Sequence, residues 1–412
     1  MGYLMLLPYS FLAIYGFLWR RDYLLAVLLV GQPILKLMLK PFPGGSEQHI
    51  FLIIYFIIGF YLWGLIRLYN RGSFLYGQTS LKIMLFYFIF LVLLVFSLLY
   101  TLNRPYGTEK IAEFFFNTFP ILLITLIFLD SEDSVQKTMN AIGNLSLLIG
   151  IVTVLVTLNH TGSLFVRVST SDAKNITFLG VNLAVSIWFG RRMGIAFLAM
   201  LCLTLFKPIN VNKLKTFMLL ILTLLSVSRG PVFSLLATIV IMLIIIFRCI
   251  AIRKVYRKVL MIVLFGFSLV GFLGLYSGSL ERMFFFGDSN ILSRLNMYSL
   301  CIRLIKENLL GYGIGAYSVL GTELYPHNIF LEILVEIGIV GLISLLIPLA
   351  ITIKENIKLI WNNDKQKWVL PLFSLSVIFF AILNALFSGD ITSNEYVWFS
   401  IVLSARVKEL VN

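Results

Sequence analysis

Gly311-Tyr-Gly-Ile-Gly-Ala-Tyr317, then Tyr325-Pro-His-Asn328, then the apolar run that opens at Ile329: the reading of this chain turns on this stretch. Three alternate glycines followed by a Pro-His-Asn corner are loop chemistry, because glycine supplies backbone angles closed to other residues. Asn328 is placed to cap a helix that begins at Ile329. Upstream, from Gly278 through Ser279-Leu-Glu-Arg-Met283 and Gly287-Asp-Ser-Asn290, the chain is polar. Residues 278–328 thus form the one long polar interruption, and almost everything outside it is apolar.

The chain has 412 residues, 59% of them hydrophobic and 13% charged, with a mean hydropathy of +0.96. Soluble domains carry about 25% charged residues. Apolar runs recur near 3–18, 23–40, 50–69, 83–102, 111–129, 139–158, 175–190, 193–206, 216–228, 231–248, 259–277, 329–353, 368–388 and 395–405. A crossing helix needs about 20 such residues, so the pattern predicts an all-α polytopic integral membrane protein with about 12–13 transmembrane helices. The whole of 1–412 reads as one transmembrane domain, with 278–328 a large extracytoplasmic loop holding an amphipathic helix over 291–310. The opening residues, Met1 to Pro8, lack a basic leader and read as the first membrane element.

The net charge of +14 fits basic cytoplasmic loops and makes nucleic acid a poor candidate partner. Arg20-Arg21, Arg67, Arg71, Lys82, Arg191-Arg192, Lys207, Lys213, Lys215, the cluster from Arg248 to Lys258, and Lys354 to Lys367 mark those loops. One conflict follows. Arg191-Arg192 and the Lys213/Lys215 pair both claim the cytoplasmic side, so 175–206 is expected to hold one full crossing plus a re-entrant or interfacial piece. Cys202, Cys249 and Cys301 have neither disulfide nor zinc spacing, and no metal motif is present.

This topology gathers His49, His160, His327, Arg104, Lys110, Arg167, Arg229, Arg282 and Arg294 on the outer side, against the positive-inside trend. An anionic ligand handled there is the simplest cause. Arg229 lies in Ser226-Val-Ser-Arg-Gly-Pro231, where Gly-Pro breaks one helix and starts another, so its planar fork is presented at a corner suited to phosphate. In the helix over 291–310, Leu292, Leu295, Tyr298, Ile302, Ile305 and Leu309 predict the inward arc. Arg294 falls at the edge of that arc, and Arg303 faces water. His327 precedes the positive end of a helix, which favours the neutral imidazole a general base requires. Asn328, Glu332 and Glu336 share one face of the same helix, where the carboxylates could orient His327 or pair with Arg229 or Arg294.

These residues resemble the signature of the O-antigen polymerase and ligase superfamily. The likeness rests on Leu310 to Tyr317, Tyr325 to Glu332, Glu336-Ile-Gly-Ile-Val-Gly-Leu342, the Arg294/Tyr298 pair and Ser228-Arg229. It covers the C-terminal half well and the N-terminal half only by hydropathy. The resemblance implies a bundle like that of GT-C glycosyltransferases. It also implies a metal-independent, cofactor-free enzyme at the outer face of the bacterial inner membrane. Its substrates would be an undecaprenyl-diphosphate-linked glycan donor and a similar acceptor, in lipopolysaccharide or capsule synthesis, and a chain-length regulator is a candidate partner. His327 would activate the acceptor hydroxyl, while Arg229 and Arg294 would hold the leaving diphosphate. Arg167, Asn328, Glu332, Tyr298, Arg104 and Lys110 would contact substrate. Polymerase is the first reading, ligase or oligosaccharyltransferase the alternative. A flippase is disfavoured because the charges gather on one side and no inverted repeat is visible.

Overall fold

The computed structural model describes residues 21–31, 77–162, 164, 177–178, 181–182, 186–247, 289–362 and 368–411. The first helices are α1 (Arg21–Val30), α2 (Gln78–Phe96) and α3 (Arg104–Glu113). A π-helical turn, Phe114–Thr118, leads into α4 (Phe119–Phe128) and then α5 (Glu132–Thr161). After an antiparallel two-residue ladder, Thr177–Phe178 with Val181–Asn182, come α6 (Ser186–Phe206), α7 (Asn210–Leu225) and α8 (Arg229–Phe247). The C-terminal part holds α9 (Ser289–Glu307), α10 (Tyr317–Leu320) and α11 (Ile329–Glu336), then α12 (Gly338–Asn362), α13 (Val369–Ala385) and α14 (Glu395–Val411).

This is the all-α polytopic membrane architecture expected. Among the described residues four helices are long and apolar enough to cross a membrane, Gln78–Leu99, Glu132–Thr161, Ser186–Phe206 and Gly338–Trp361, with Arg229–Ile245 and Val369–Ala385 as shorter apolar helices. The runs expected at 50–69 and 259–277 lie outside the described residues. The chain divides into two compact units. One comprises Met1–Phe56, Phe128–Phe284 and Ile360–Phe380, the other Ile57–Ile127, Phe285–Leu359 and Ala381–Asn412.

In the first unit α6 is the central helix, packed on α5, α7 and α8. Gly143 lies against Met200, and Gly150 against Met193 and Leu222, so α5 and α6 run antiparallel at close range, as small residues permit. At one end the Thr204 and Thr216 hydroxyls meet at 2.9 Å, and Lys215 donates to Asn144 at 2.7 Å. At the other end Gly190 packs against Ser226 and Pro231. This corrects the reading of Arg191-Arg192. They are no cytoplasmic loop: both are buried inside the continuous helix α6, at the Ser226–Pro231 end and away from Lys207, Lys213 and Lys215. Arg191 stacks on Trp188, 5.2 Å from the ring centroid. The topological conflict thus disappears, because one helix carries arginines at one end and leads to lysines at the other.

In the second unit α2 packs on α14, where Phe90 and Trp398 rings approach to 4.7 Å and Ser80 donates its backbone N–H to Glu409 at 3.0 Å. The run read as one apolar helix over 329–353 is two helices. Gly338, at φ 83°, breaks it between α11 and α12, and a Cβ there would sit 2.4 Å from the Leu310 carbonyl carbon. The glycine loop fills that break. Tyr312 and Gly313 donate to the Val335 and Glu336 carbonyls, each at 2.8 Å, and so terminate α11. Ile314 then joins the end of α2, donating to Ser97 at 3.2 Å and accepting from Thr101 at 2.6 Å.

Gly313 has φ 93°, and a Cβ on it would lie 2.3 Å from the Thr101 Cα. Gly313→Ala therefore combines a left-handed penalty with overpacking against backbone that cannot yield. The expected destabilisation is about 2–4 kcal/mol, read as a lowered melting temperature in detergent. Melting within about 0.5 kcal/mol of the parent protein would refute this account of the loop.

Candidate active site

Within the second unit, α11 presents the Pro-His-Asn corner. The Asn328 side chain caps the helix, accepting from the Phe330 and Leu331 N–H groups at 3.0 and 3.2 Å. His327, just before the cap, is held at φ 56°, a left-handed conformation uncommon outside glycine, with Tyr325 edge-on to its ring at 4.7 Å. Across from this corner runs α9. Its Tyr298 hydroxyl donates to the Leu386 carbonyl at 3.2 Å. Burial raises the Tyr298 phenol above its ordinary pKa, while Arg294 and the Asn328 side chain nearby pull it down. Tyr298 and Asn328, both singled out from sequence, thus meet in a seam between α9 and α11; Arg294 lies one turn before Tyr298 on α9 and is half-exposed, and His327 adjoins Asn328.

Lys110 and Glu332 have another place. Lys110 on α3 is ion-paired with Glu332 and, at 2.7 Å, with Glu336. All three side chains are buried to 1% exposure or less. Burial alone would lower the Lys110 pKa, but Glu332 and Glu336 outweigh it and hold the ammonium above its ordinary value. The carboxylates therefore pair with a lysine rather than with Arg229 or Arg294. In this arrangement Lys110 and Glu332 tie α11, and with it His327, to α3. Next to them Asp390 accepts from the Ser393 N–H at 2.8 Å, and Thr392 bridges Asp390 to Glu113. No motif in the sequence pointed to this acidic loop. Arg104 opens α3 and is exposed, one residue past Asn103, which donates to Ser318 at 2.9 Å.

In the first unit, α7 ends at Leu225 and α8 begins with Arg229, the helix-to-helix corner expected from Gly230-Pro231. Ser226 donates to the Thr223 carbonyl at 2.6 Å and accepts from the Ser228 N–H at 3.3 Å. Between them Val227 sits at φ 48°. A β-branched residue there is a steric outlier, and it sets the angle at which half-buried Arg229 leaves the corner. Arg167 lies outside the described residues.

Residues 214–346 match the O-antigen ligase (Wzy_C) family model. The match supports the O-antigen polymerase/ligase superfamily for this stretch. The match takes in both corners, Ser226–Pro231 and Tyr325–Asn328, together with Arg294, Tyr298, Glu332 and Glu336. Arg104, Lys110 and Arg167 fall outside it. No curated protein matches the chain. The match points to a glycosyltransferase-like membrane enzyme of the O-antigen pathway.

Proposed function

We propose that this superfamily member is a polysaccharide polymerase. It transfers a glycan from undecaprenyl diphosphate to a sugar hydroxyl of the next lipid-linked repeat unit, at the outer face of the plasma membrane. The observation that supports this reading is the placement of backbone strain. Among the described residues, Val227 and His327 are the non-glycine positions with positive φ, each worth about 1–3 kcal/mol. One lies two residues before Arg229, the other is the candidate base itself. Strain of this kind persists where packing enforces it and concentrates at active sites.

In the proposed reaction His327 removes the proton from the acceptor hydroxyl as that oxygen attacks the anomeric carbon. Arg229 and Arg294 stabilise the departing diphosphate, whose charge grows as the glycosidic bond to phosphate breaks. Tyr298 and Asn328 orient the Arg294–His327 seam. Arg104 and Arg167 supply further cationic contacts for glycan or phosphate. A bundle of GT-C type and a chain-length regulator as partner belong to the same reading. The second reading is a ligase, favoured by the description of the matching family, which would use the same donor and a different acceptor.

Alanine at Arg229 and at Arg294 tests both. Each variant, present at normal level, is expected to lose long surface glycan on gels. Single-repeat glycan on the usual acceptor identifies a polymerase. Long glycan retained on undecaprenyl diphosphate identifies a ligase. Normal long chains in both variants would remove the arginines from the mechanism.

A further inference from the structure

The helix α9 carries apolar residues on two faces rather than one. The face turned to the protein is Met297, Cys301 and Leu304, all buried, with Cys301 and Leu304 in one cluster with Tyr317 and Val335. At about 100° per residue these three fall within roughly 60° of one another. Leu295 and Ile302, seven residues apart, lie within about 20° of each other and roughly 140° away from the first face, and Leu309, in the turn just past the end of α9, extends this second stripe. This second stripe is open, with exposures of 57%, 49% and 58%. Asn296, Ser299, Arg303 and Glu307 dominate a third, mainly polar sector, also exposed, which Leu292 shares at the N-terminal end of α9, and Arg303 reaches Glu307 at 4.0 Å within it. Lys306, on the border between the open apolar stripe and the polar sector, is exposed too.

The open stripe does not end in water. The Leu309 carbonyl accepts from the Ile339 N–H at 3.0 Å, at the first turn of α12. There Ile339, Ile343 and Leu346 share one face and are likewise exposed, on a helix long and apolar enough to span a bilayer. An exposed apolar face on such a helix meets lipid, and the α9 stripe continues it around the corner.

We propose that α9 is an in-plane membrane-surface helix. Its Leu295–Ile302–Leu309 stripe is immersed in the lipid leaflet at the Gly338 end of α12, its Met297–Cys301–Leu304 face packs on the protein, and its Asn296–Arg303–Glu307 sector faces water. Three sectors of this kind, with a basic residue at the lipid–water border, are the pattern of interfacial helices, which sink about 5–10 Å into the headgroup boundary. Arg294 and Tyr298 lie between the protein-facing and lipid-facing sectors, so the helix holds them at the depth of lipid phosphates. The placement of the helix stands independently of any transfer activity.

Nitroxide labels on the full-length protein test it. In a Cys249→Ser background, with Cys202 and Cys301 buried, single cysteines replace Leu295, Ile302 or Leu309, and Asn296 or Arg303 as controls. The labelled proteins are placed in phosphatidylethanolamine–phosphatidylglycerol liposomes. Labels at 295, 302 and 309 are expected to collide more with oxygen than with a water-soluble nickel chelate, and labels at 296 and 303 to show the reverse. Nickel access at 302 equal to that at 303 would place the stripe in water and overturn the proposal. Protection at 302 from both reagents would mean that protein, such as a second copy, covers the stripe, and would overturn it equally.

Discussion

Replacing His327 by asparagine is expected to lower glycan transfer by about 10²- to 10⁴-fold while leaving the protein folded. That range is the usual contribution of a positioned general base. Asparagine is the informative substitution because position 327 is held at φ 56°, a conformation asparagine tolerates better than most residues. Alanine in the same place adds a backbone penalty of about 1–2 kcal/mol, so His327→Ala mixes chemistry with stability. The two together separate the effects: both should be inactive, and only the alanine variant should melt appreciably lower. The measurement is transfer from a prenyl-diphosphate-linked oligosaccharide in proteoliposomes, alongside thermal melting. Transfer within about threefold of the parent by a well-folded His327→Asn protein would mean that His327 is not the base.

The second large effect is expected at Lys110. Its ammonium lies between Glu332 and Glu336 in a site closed to solvent. Removing one partner of a buried ion pair typically costs about 3–5 kcal/mol, because the remaining charge is left uncompensated. Here two carboxylates lose the cation that lies between them, so Lys110→Met should fall at the upper end of that range and accumulate poorly. Adding Glu332→Gln and Glu336→Gln removes the stranded charges and should restore most of the folded protein. If the cluster only ties α11 to α3, the triple variant will also transfer glycan at a rate close to the parent's. A triple variant that folds but transfers nothing would show that the cluster takes a direct part in the reaction. Wild-type melting of Lys110→Met alone would contradict the buried pair.

Several features were legible in the sequence because they depend on a few neighbouring residues. Asn328 caps its helix as its type and position predict. Gly311, Gly313 and Gly315 all adopt positive φ, and Gly230-Pro231 makes the corner at Arg229. Arg303 faces solvent beside Glu307. The hydrophobic spacing of α9 points to a different face from the one that packs, for a physical reason. Leu295, Ile302 and Leu309 were expected to point inward, yet Met297, Cys301 and Leu304 do. In a membrane protein lipid and protein interior are both apolar, so hydrophobic spacing finds a helix without telling which apolar face meets protein. Arg191-Arg192 misled through the same kind of ambiguity. A basic pair is a cytoplasmic mark only when it lies in a loop, and whether it does is decided by the continuity of α6.

The sequence by itself determined the class of the molecule and its punctuation, and it supplied the residue types for which roles toward a diphosphate and a hydroxyl are proposed. These follow from composition, from short-range backbone preferences and from charges too costly to keep in lipid without cause. Only the tertiary structure decided partnership. Lys110 meets Glu332 across 222 positions of chain, the glycine loop closes on the Glu336 end of α11, and Tyr298 comes to lie beside Asn328. Such pairings depend on how helices stack and where one breaks, and in a chain that is apolar almost throughout, hydrophobic pattern alone does not fix either.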